Sequence, residues 1–150
     1  MSLKGSLRYK AYVTRSEWFC ASHRLNSNLL SVEENAAVFG QCNNPNGHGH
    51  NYKVEVTVKA DVDPLTGMAI NISELKQYIQ TVIASLDHKC LDLDVAFFKN
   101  HTSTTENLTV YIWNQLIECM PKPDILYEVT VHETEKNAVT YRGEVNAGEE

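Results

Sequence analysis

Three of the six histidines in the 150-residue chain are spaced to do metal chemistry: His23, His48 and His50. Downstream of the last pair, Tyr52, Val54, Val56 and Val58 alternate with Lys53, Glu55, Thr57 and Lys59, the pattern of a half-buried strand. Side chains of a strand alternate between its faces, so the same parity carries back to put His50 and His48 side by side on the apolar face. His23 closes another strand-like stretch and shares its inward face with Phe19 and Ala21. A lone inward histidine is more often a hydrogen-bonded core residue than a ligand. The pair His48-Gly49-His50, following a cysteine-bearing turn, shifts that balance toward coordination. Neutral imidazoles suit zinc, and three protein ligands leave one tetrahedral position open for a reacting group. His101 and His132 lack such company and read as surface residues.

Two further residues invite chemistry. Cys42 has two readings: a small buried hydrophobe, the usual fate of a free cysteine, or a reactive thiol. It follows a helix stop, in an asparagine- and glycine-rich loop leading into the histidine pair, where a nearby dication lowers a thiol pKa and makes a thiolate available as a base. Glu133 continues the apolar parity of Tyr127, Val129 and Val131, although an unpaired buried carboxylate is costly. From the pattern alone it is either a site residue or a strand end reaching solvent.

The elements that must position these residues are legible in outline. A long strand is expected over residues 8–23. Ser31 and Glu34 form a capping box for a short helix over 32–39, which Gly40 can end in a left-handed conformation. Turn chemistry over 43–47 leads into the second strand near His48. A loop over 63–67 is expected to enter a return strand over 68–71, and Ser73 to cap a helix whose stripe is Leu75, Tyr78, Ile79, Val82, Ile83 and Leu86. Asp87 and His88 stand where that helix ends. Ser103 with Glu106 makes a second capping box, for a helix running to about Cys119 with Leu108, Tyr111, Ile112 and Leu116 inward. Closing strands over 125–133 and 138–142 follow, joined by Glu135-Lys136-Asn137, and residues 1–7 and 145–150 read as frayed ends. Strand, strand, helix, helix, strand, strand is an α+β order, solved by an antiparallel sheet with helices on one face. The length suits one domain spanning residues 1–150.

Composition narrows the partners. The net charge is −6, and the thirteen Lys and Arg are scattered, so nothing directs the chain to nucleic acid or to an anionic membrane. No apolar run approaches the roughly 18 residues that would span a bilayer. The four cysteines have no CxxC spacing and the first ten residues lack a signal-peptide core, which reads as a cytoplasmic protein with reduced thiols.

Taken together, four stretches carry a family resemblance: Phe19-Cys20-Ala21-Ser22-His23-Arg24-Leu25, the run from Cys42 through Asn43-Asn44-Pro45-Asn46-Gly47-His48-Gly49-His50 to Tyr52, Leu86-Asp87-His88-Lys89, and Ser103-Thr104-Thr105-Glu106-Asn107. They resemble the eukaryotic 6-pyruvoyl-tetrahydropterin synthase family from about Phe19 to Glu144. The resemblance implies the tunnelling fold: a four-stranded antiparallel sheet per subunit with two main helices on one face, trimers closing a twelve-stranded barrel, and two trimers forming a homohexamer. It implies conversion of 7,8-dihydroneopterin triphosphate to 6-pyruvoyl-tetrahydropterin in tetrahydrobiopterin biosynthesis, with triphosphate elimination, internal redox and a site at a subunit boundary. Carried over by position, His23, His48 and His50 would bind one Zn2+ per subunit. Cys42 would be the base and Asp87 with His88 a relay pair. Glu133 would anchor the pterin, and Thr104, Thr105 and Glu106 would contribute to the same pocket. The resemblance also allows for Mg2+ supporting activity. Arg24 and Lys53 are conceivable phosphate contacts, although solvated charge is the commoner fate of such residues.

Rival expectations are a 6-carboxy-tetrahydropterin synthase of the same fold, a zinc hydrolase, and a non-catalytic zinc-stabilised oligomer. Five residues separate Cys42 from His48, whereas the carboxy-forming branch resembles this chain with a shorter spacer. A hydrolase leaves Cys42 and Glu133 without a task.

Overall fold

The computed structural model describes residues 7–147. The expected frayed ends fall largely outside that range. Two long strands, β1 (Lys10–His23) and β2 (His48–Asp61), pair antiparallel over their whole length, from Lys10 opposite Asp61 to His23 opposite His48. Between them lie α1 (Val32–Phe39) and a short 3-10 turn, Gly40–Asn43. The Ser31–Glu34 capping box forms in both directions, and Gly40 takes a φ of 56° as the chain leaves the helix. After β2 come α2 (Ile72–Ala84), β3 (Lys89–Cys90), α3 (Leu91–Asp94), α4 (Thr105–Cys119), β4 (Leu126–His132) and β5 (Ala138–Tyr141).

The sheet order is β3-β1-β2-β4-β5. Helices α2 and α4 cover one face. Leu75, Ile79 and Val82 from the first and Leu108, Ile112 and Leu116 from the second are buried in one cluster with Phe19, Tyr52, Val54, Val56, Val58, Val129 and Val131 of the strands. Burying a side chain of this size is worth about 1.5–3 kcal/mol, and this apolar layer keeps the β1–β2 register from slipping. A one-residue slip would turn every inward residue outward, the histidines included. No helix among the described residues is long and apolar enough to cross a membrane.

The α+β architecture matches expectation, with four instructive differences. The sheet is mixed and five-stranded, because His88 adopts a φ of 61° and turns the chain back so that Lys89 and Cys90 pair parallel with Ala21 and Ser22. Residues 68–71 form no strand. Gly67 closes the preceding loop on the Asp63 carbonyl, and Asn71, in place of Ser73, caps α2 by accepting from the Ser73 amide. Thr104, and not Ser103, is the cap of α4, its hydroxyl accepting from the Asn107 amide at 3.2 Å. Tyr127 does not share the inward face of Val129. A register shift at Thr57/Val58 turns it to the open side of the sheet, where its ring packs edge-on against Tyr12.

Candidate metal centre

His23 ends β1, and only 1% of its surface is exposed. Its Nδ1 lies 2.6 Å from the Ser103 carbonyl oxygen. A carbonyl only accepts, so Nδ1 carries the hydrogen and Nε2 presents a lone pair when the ring is neutral. That Nε2 lies 3.1 Å from Nε2 of His48, the residue directly opposite in the sheet. His50, two residues along β2, faces Ala21. Its Nε2 is buried without a hydrogen-bond partner, although the Glu133 carboxylate approaches to 3.1 Å. Glu133 follows β4 directly. The register that sets His132 opposite Lys53 brings it to the sheet end that carries the histidines. One donor atom from each of His23, His48, His50 and Glu133 lies within 4.8 Å of the other three. Three imidazoles and one carboxylate within such a span fit a zinc-type cation, and the orphaned His50 nitrogen in this cluster is otherwise unexplained.

The entry to β2 depends on Gly47, whose φ is 72° and where an added Cβ would stand 2.8 Å from the His23 carbonyl oxygen. Gly47→Ala is therefore expected to cost about 1–2 kcal/mol for the left-handed backbone alone, and more for the clash. Thermal melts and metal titration should show lower stability and weaker metal binding together. An unaltered melt would mean that the loop relaxes freely.

Burial lowers the pKa of His23, outweighing the Ser103 hydrogen bond and the Glu133 charge that raise it, and burial likewise lowers that of His50. Both rings are thus held neutral, the form that ligates metal. In the metal-free protein the sign follows from proton counting. The unfolded chain protonates these histidines near 6.5 while the folded chain resists until lower pH, so stability falls as pH drops below about 6.5. Melts of metal-free protein from about pH 7.5 to 5.5 should show a declining Tm. A flat profile would show that the imidazoles are not held neutral.

Other expected site residues lie elsewhere in the single chain. Cys42 is half-buried in the 3-10 turn, outside the four-residue group. Its carbonyl accepts from Leu25 N at 3.0 Å, and Arg24 donates from Nε to the next carbonyl, that of Asn43, at 2.8 Å. Arg24 thus secures this loop to the end of β1. Asp87 Oδ1 accepts from Cys20 N at 2.9 Å, and its other oxygen lies 3.0 Å from Nδ1 of His88. The Cys20 amide and the His88 ring hold the Asp87 carboxyl below its ordinary pKa. The His88 side chain is 84% exposed, so this pair projects to solvent and stands outside the histidine group. Thr105 is buried and Glu106 exposed in the first turn of α4. Lys53 lies over the Trp18 ring on the open face, where His132, only partly exposed, pairs with Glu55.

Sequence reasoning missed Ser103 and Asp92. Ser103 orients His23 through its backbone, and its hydroxyl donates to Asp92 at 2.7 Å. The other Asp92 oxygen accepts from the Arg24 amide at 2.6 Å. A carbonyl contact has no residue-type signature, so only the three-dimensional contact reveals it. A cavity of about 610 Å³ opens beside the cluster, lined by Trp18, Asn51, Lys53 and Thr134 together with His50 and Glu133.

Comparison with known proteins agrees with this architecture. The 6-pyruvoyl tetrahydropterin synthase family profile matches residues 12–144. The 6-pyruvoyl tetrahydrobiopterin synthase of Drosophila melanogaster is 58% identical over 134 residues, covering 89% of this chain and 80% of that protein. The Homo sapiens enzyme of the same name is 54% identical over 141 residues, covering 93% and 97%. The structure of Caenorhabditis elegans 6-pyruvoyl tetrahydropterin synthase superimposes with a TM-score of 0.90 at 44% identity, over 92% of this chain and 99% of that one. With a family match across most of its length and relatives above half identity, this chain belongs to the 6-pyruvoyl tetrahydropterin synthase family.

Proposed function

We propose that the chain is a zinc-dependent carbon–oxygen lyase converting 7,8-dihydroneopterin triphosphate to 6-pyruvoyl-tetrahydropterin and triphosphate, in tetrahydrobiopterin biosynthesis. The observation that carries this reading is the convergence of His23, His48 and His50 on one point, within a chain of this family. Zinc held by the three imidazoles would supply Lewis acidity at the side-chain oxygens of the substrate, making the adjacent C–H acidic. The chain's own residues do the rest. The Cys42 thiolate takes the carbon-bound proton, and the Asp87–His88 pair relays protons, the carboxylate orienting the imidazole. Glu133 accepts from a ring N–H and the exocyclic amine of the pterin, which two carboxylate oxygens suit. By the family resemblance, Thr104, Thr105 and Glu106 would contribute to the pterin pocket. Proton relocation expels triphosphate and leaves a tetrahydropterin bearing a diketone, so reducing equivalents move within the substrate and no nicotinamide is required.

The outward projection of Asp87 and His88 supports a site shared across a subunit boundary, the pair serving a neighbouring cluster. The β1 edge supports oligomerisation. Among the described residues β3 pairs only with Ala21 and Ser22, which leaves a long open edge of the kind that closure into a barrel removes. Trimers closing a twelve-stranded barrel and stacking as a hexamer would bury it. The four cysteines are free, in keeping with a cytoplasmic setting.

The test is incubation of the zinc-loaded protein and Mg2+ with 7,8-dihydroneopterin triphosphate, with and without a chelator, and product identification by mass. Chelator-sensitive release of triphosphate with a 6-pyruvoyl product is expected. A 6-carboxy product would assign the chain to the carboxy-forming reaction, and hydrolysis alone to a zinc hydrolase.

A further inference from the structure

We propose that Asp92 is a positioning residue of the metal centre, fixing the place and the tautomer of His23 through Ser103. The inference deepens the zinc site on which the proposed reaction rests. It concerns metal binding alone, so it stands apart from the identity of the substrate.

Asp92 lies in α3, a single turn whose first residue, Leu91, is fully buried. Its carboxylate reaches two segments remote from its own helix. Oδ2 accepts from the Arg24 amide at 2.6 Å and Oδ1 from the Ser103 hydroxyl at 2.7 Å. Neither donor is a cation. The Arg24 guanidinium is turned to the loop before β2, where its Nε donates to the Asn43 carbonyl oxygen. Nor is the carboxylate committed to its own helix, because the Cys90 amide at the start of α3 donates to Asp94 instead. Both oxygens of one anion thus join the end of β1 to the residue that leads into α4. Hydrogen bonds to a charged acceptor are roughly twice as strong as neutral ones.

The two joined points are the ones that frame His23. Arg24 N belongs to the peptide that leaves His23, and the carbonyl oxygen of the same peptide stands so close to Gly47 that a Cβ there would lie 2.8 Å away. Ser103 has no exposed surface and presents the carbonyl oxygen that accepts from His23 Nδ1 at 2.6 Å. The imidazole therefore hangs between a backbone and a carbonyl that one carboxylate holds in fixed relation. Which nitrogen of a neutral imidazole carries the hydrogen is set by the bond that nitrogen makes. A hydrogen on Nδ1 leaves the Nε2 lone pair for a metal. Without the Asp92 bridge the Ser103 peptide loses the side-chain tie that fixes its direction, and its carbonyl can swing off the ring. The released ring then also populates the tautomer with its hydrogen on Nε2, which cannot ligate through that atom. Asp92 touches neither the ring nor the metal and acts on both through Ser103.

The test uses the full chain with isotope-labelled histidine, for proton–nitrogen correlation spectra of the metal-free protein, and chelator competition for Zn2+ affinity. In the wild type His23 should show a protonated Nδ1 and an unprotonated Nε2. Asp92→Ala should mix the two tautomers and lower Zn2+ affinity about tenfold, the lower end of the range for outer-shell partners of metal ligands, because it acts one contact further out. Ser103→Ala keeps the carbonyl and removes only the hydroxyl link, so it should move both readouts the same way. The double variant should be no worse than Asp92→Ala, as expected when two residues act through one contact. A lower Tm with unchanged His23 signals and Zn2+ affinity would show that Asp92 only pins α3, and would overturn the proposal. Weaker Zn2+ binding with the wild-type tautomer retained would overturn the route through Ser103. If circular dichroism shows that Asp92→Ala does not fold, Ser103→Ala and the isosteric Asp92→Asn decide by the same two readouts. Failure of the wild type to bind Zn2+ would count against the metal centre itself, whereas the tautomer spectra, recorded without metal, would still report on Asp92.

Discussion

His50→Ala is expected to strip the metal centre while leaving the sheet intact. The substitution removes one of three imidazoles whose donor atoms converge with Glu133, and its backbone keeps its place opposite Ala21. The His50 side chain is only partly buried, at the rim of the cavity, so its loss opens little of the core. Changing a residue that merely supports a metal ligand costs about 10–100-fold in affinity, and losing a ligand should cost at least the upper end of that range. Metal content after dialysis and turnover should fall together, with an unchanged circular dichroism spectrum. His48→Ala should behave alike. His23→Ala should in addition destabilise the fold, because it vacates a buried position and leaves the Ser103 carbonyl without its donor. Full metal content in His50→Ala would remove the residue from the ligand set.

Cys42→Ala separates binding from turnover. Cys42 stands outside the four-residue group, so its loss should spare metal content, oligomeric state and pterin affinity. Turnover should fall on the order of 10²-fold or more, the usual contribution of a positioned general base, equivalent to about 2.7 kcal/mol or more in the barrier. Serine should rescue little, because a hydroxyl supplies an anionic base near neutral pH far less readily than a thiol does. Metal loss in Cys42→Ala would make the cysteine a ligand. Normal turnover would move proton abstraction elsewhere, with His88 the first group to examine.

Much of the scaffold was legible because it repeats. β2 alternates without interruption from Tyr52 to Val58, so its inward face and the side taken by His48 and His50 follow from parity alone. The apolar stripe of α2 and the capping box of α1 are equally local. The misreadings arose where two local solutions compete. Ser103 and Thr104 are both capable caps; in the fold the Ser103 hydroxyl donates to Asp92 while that of Thr104 accepts from the Asn107 amide. A bulge at Thr57/Val58 reversed Tyr127, and bulges depend on how two strands meet, which neither strand states.

The sequence by itself determined the ligand types, their inward parity and the elements that carry them, because side-chain chemistry and backbone periodicity are properties of short stretches. Tertiary structure decided which of those residues share a point in space. The β1–β2 register sets His23 opposite His48, and the end of β4 brings Glu133 to the same place from more than eighty residues away. It decided as well that the Ser103 carbonyl selects the His23 tautomer, and that Asp87 and His88 face outward in the single chain. These are distances between segments remote in sequence, and they are fixed by the packing of α2 and α4 on one face of the sheet. The identity of any one residue carries no such information.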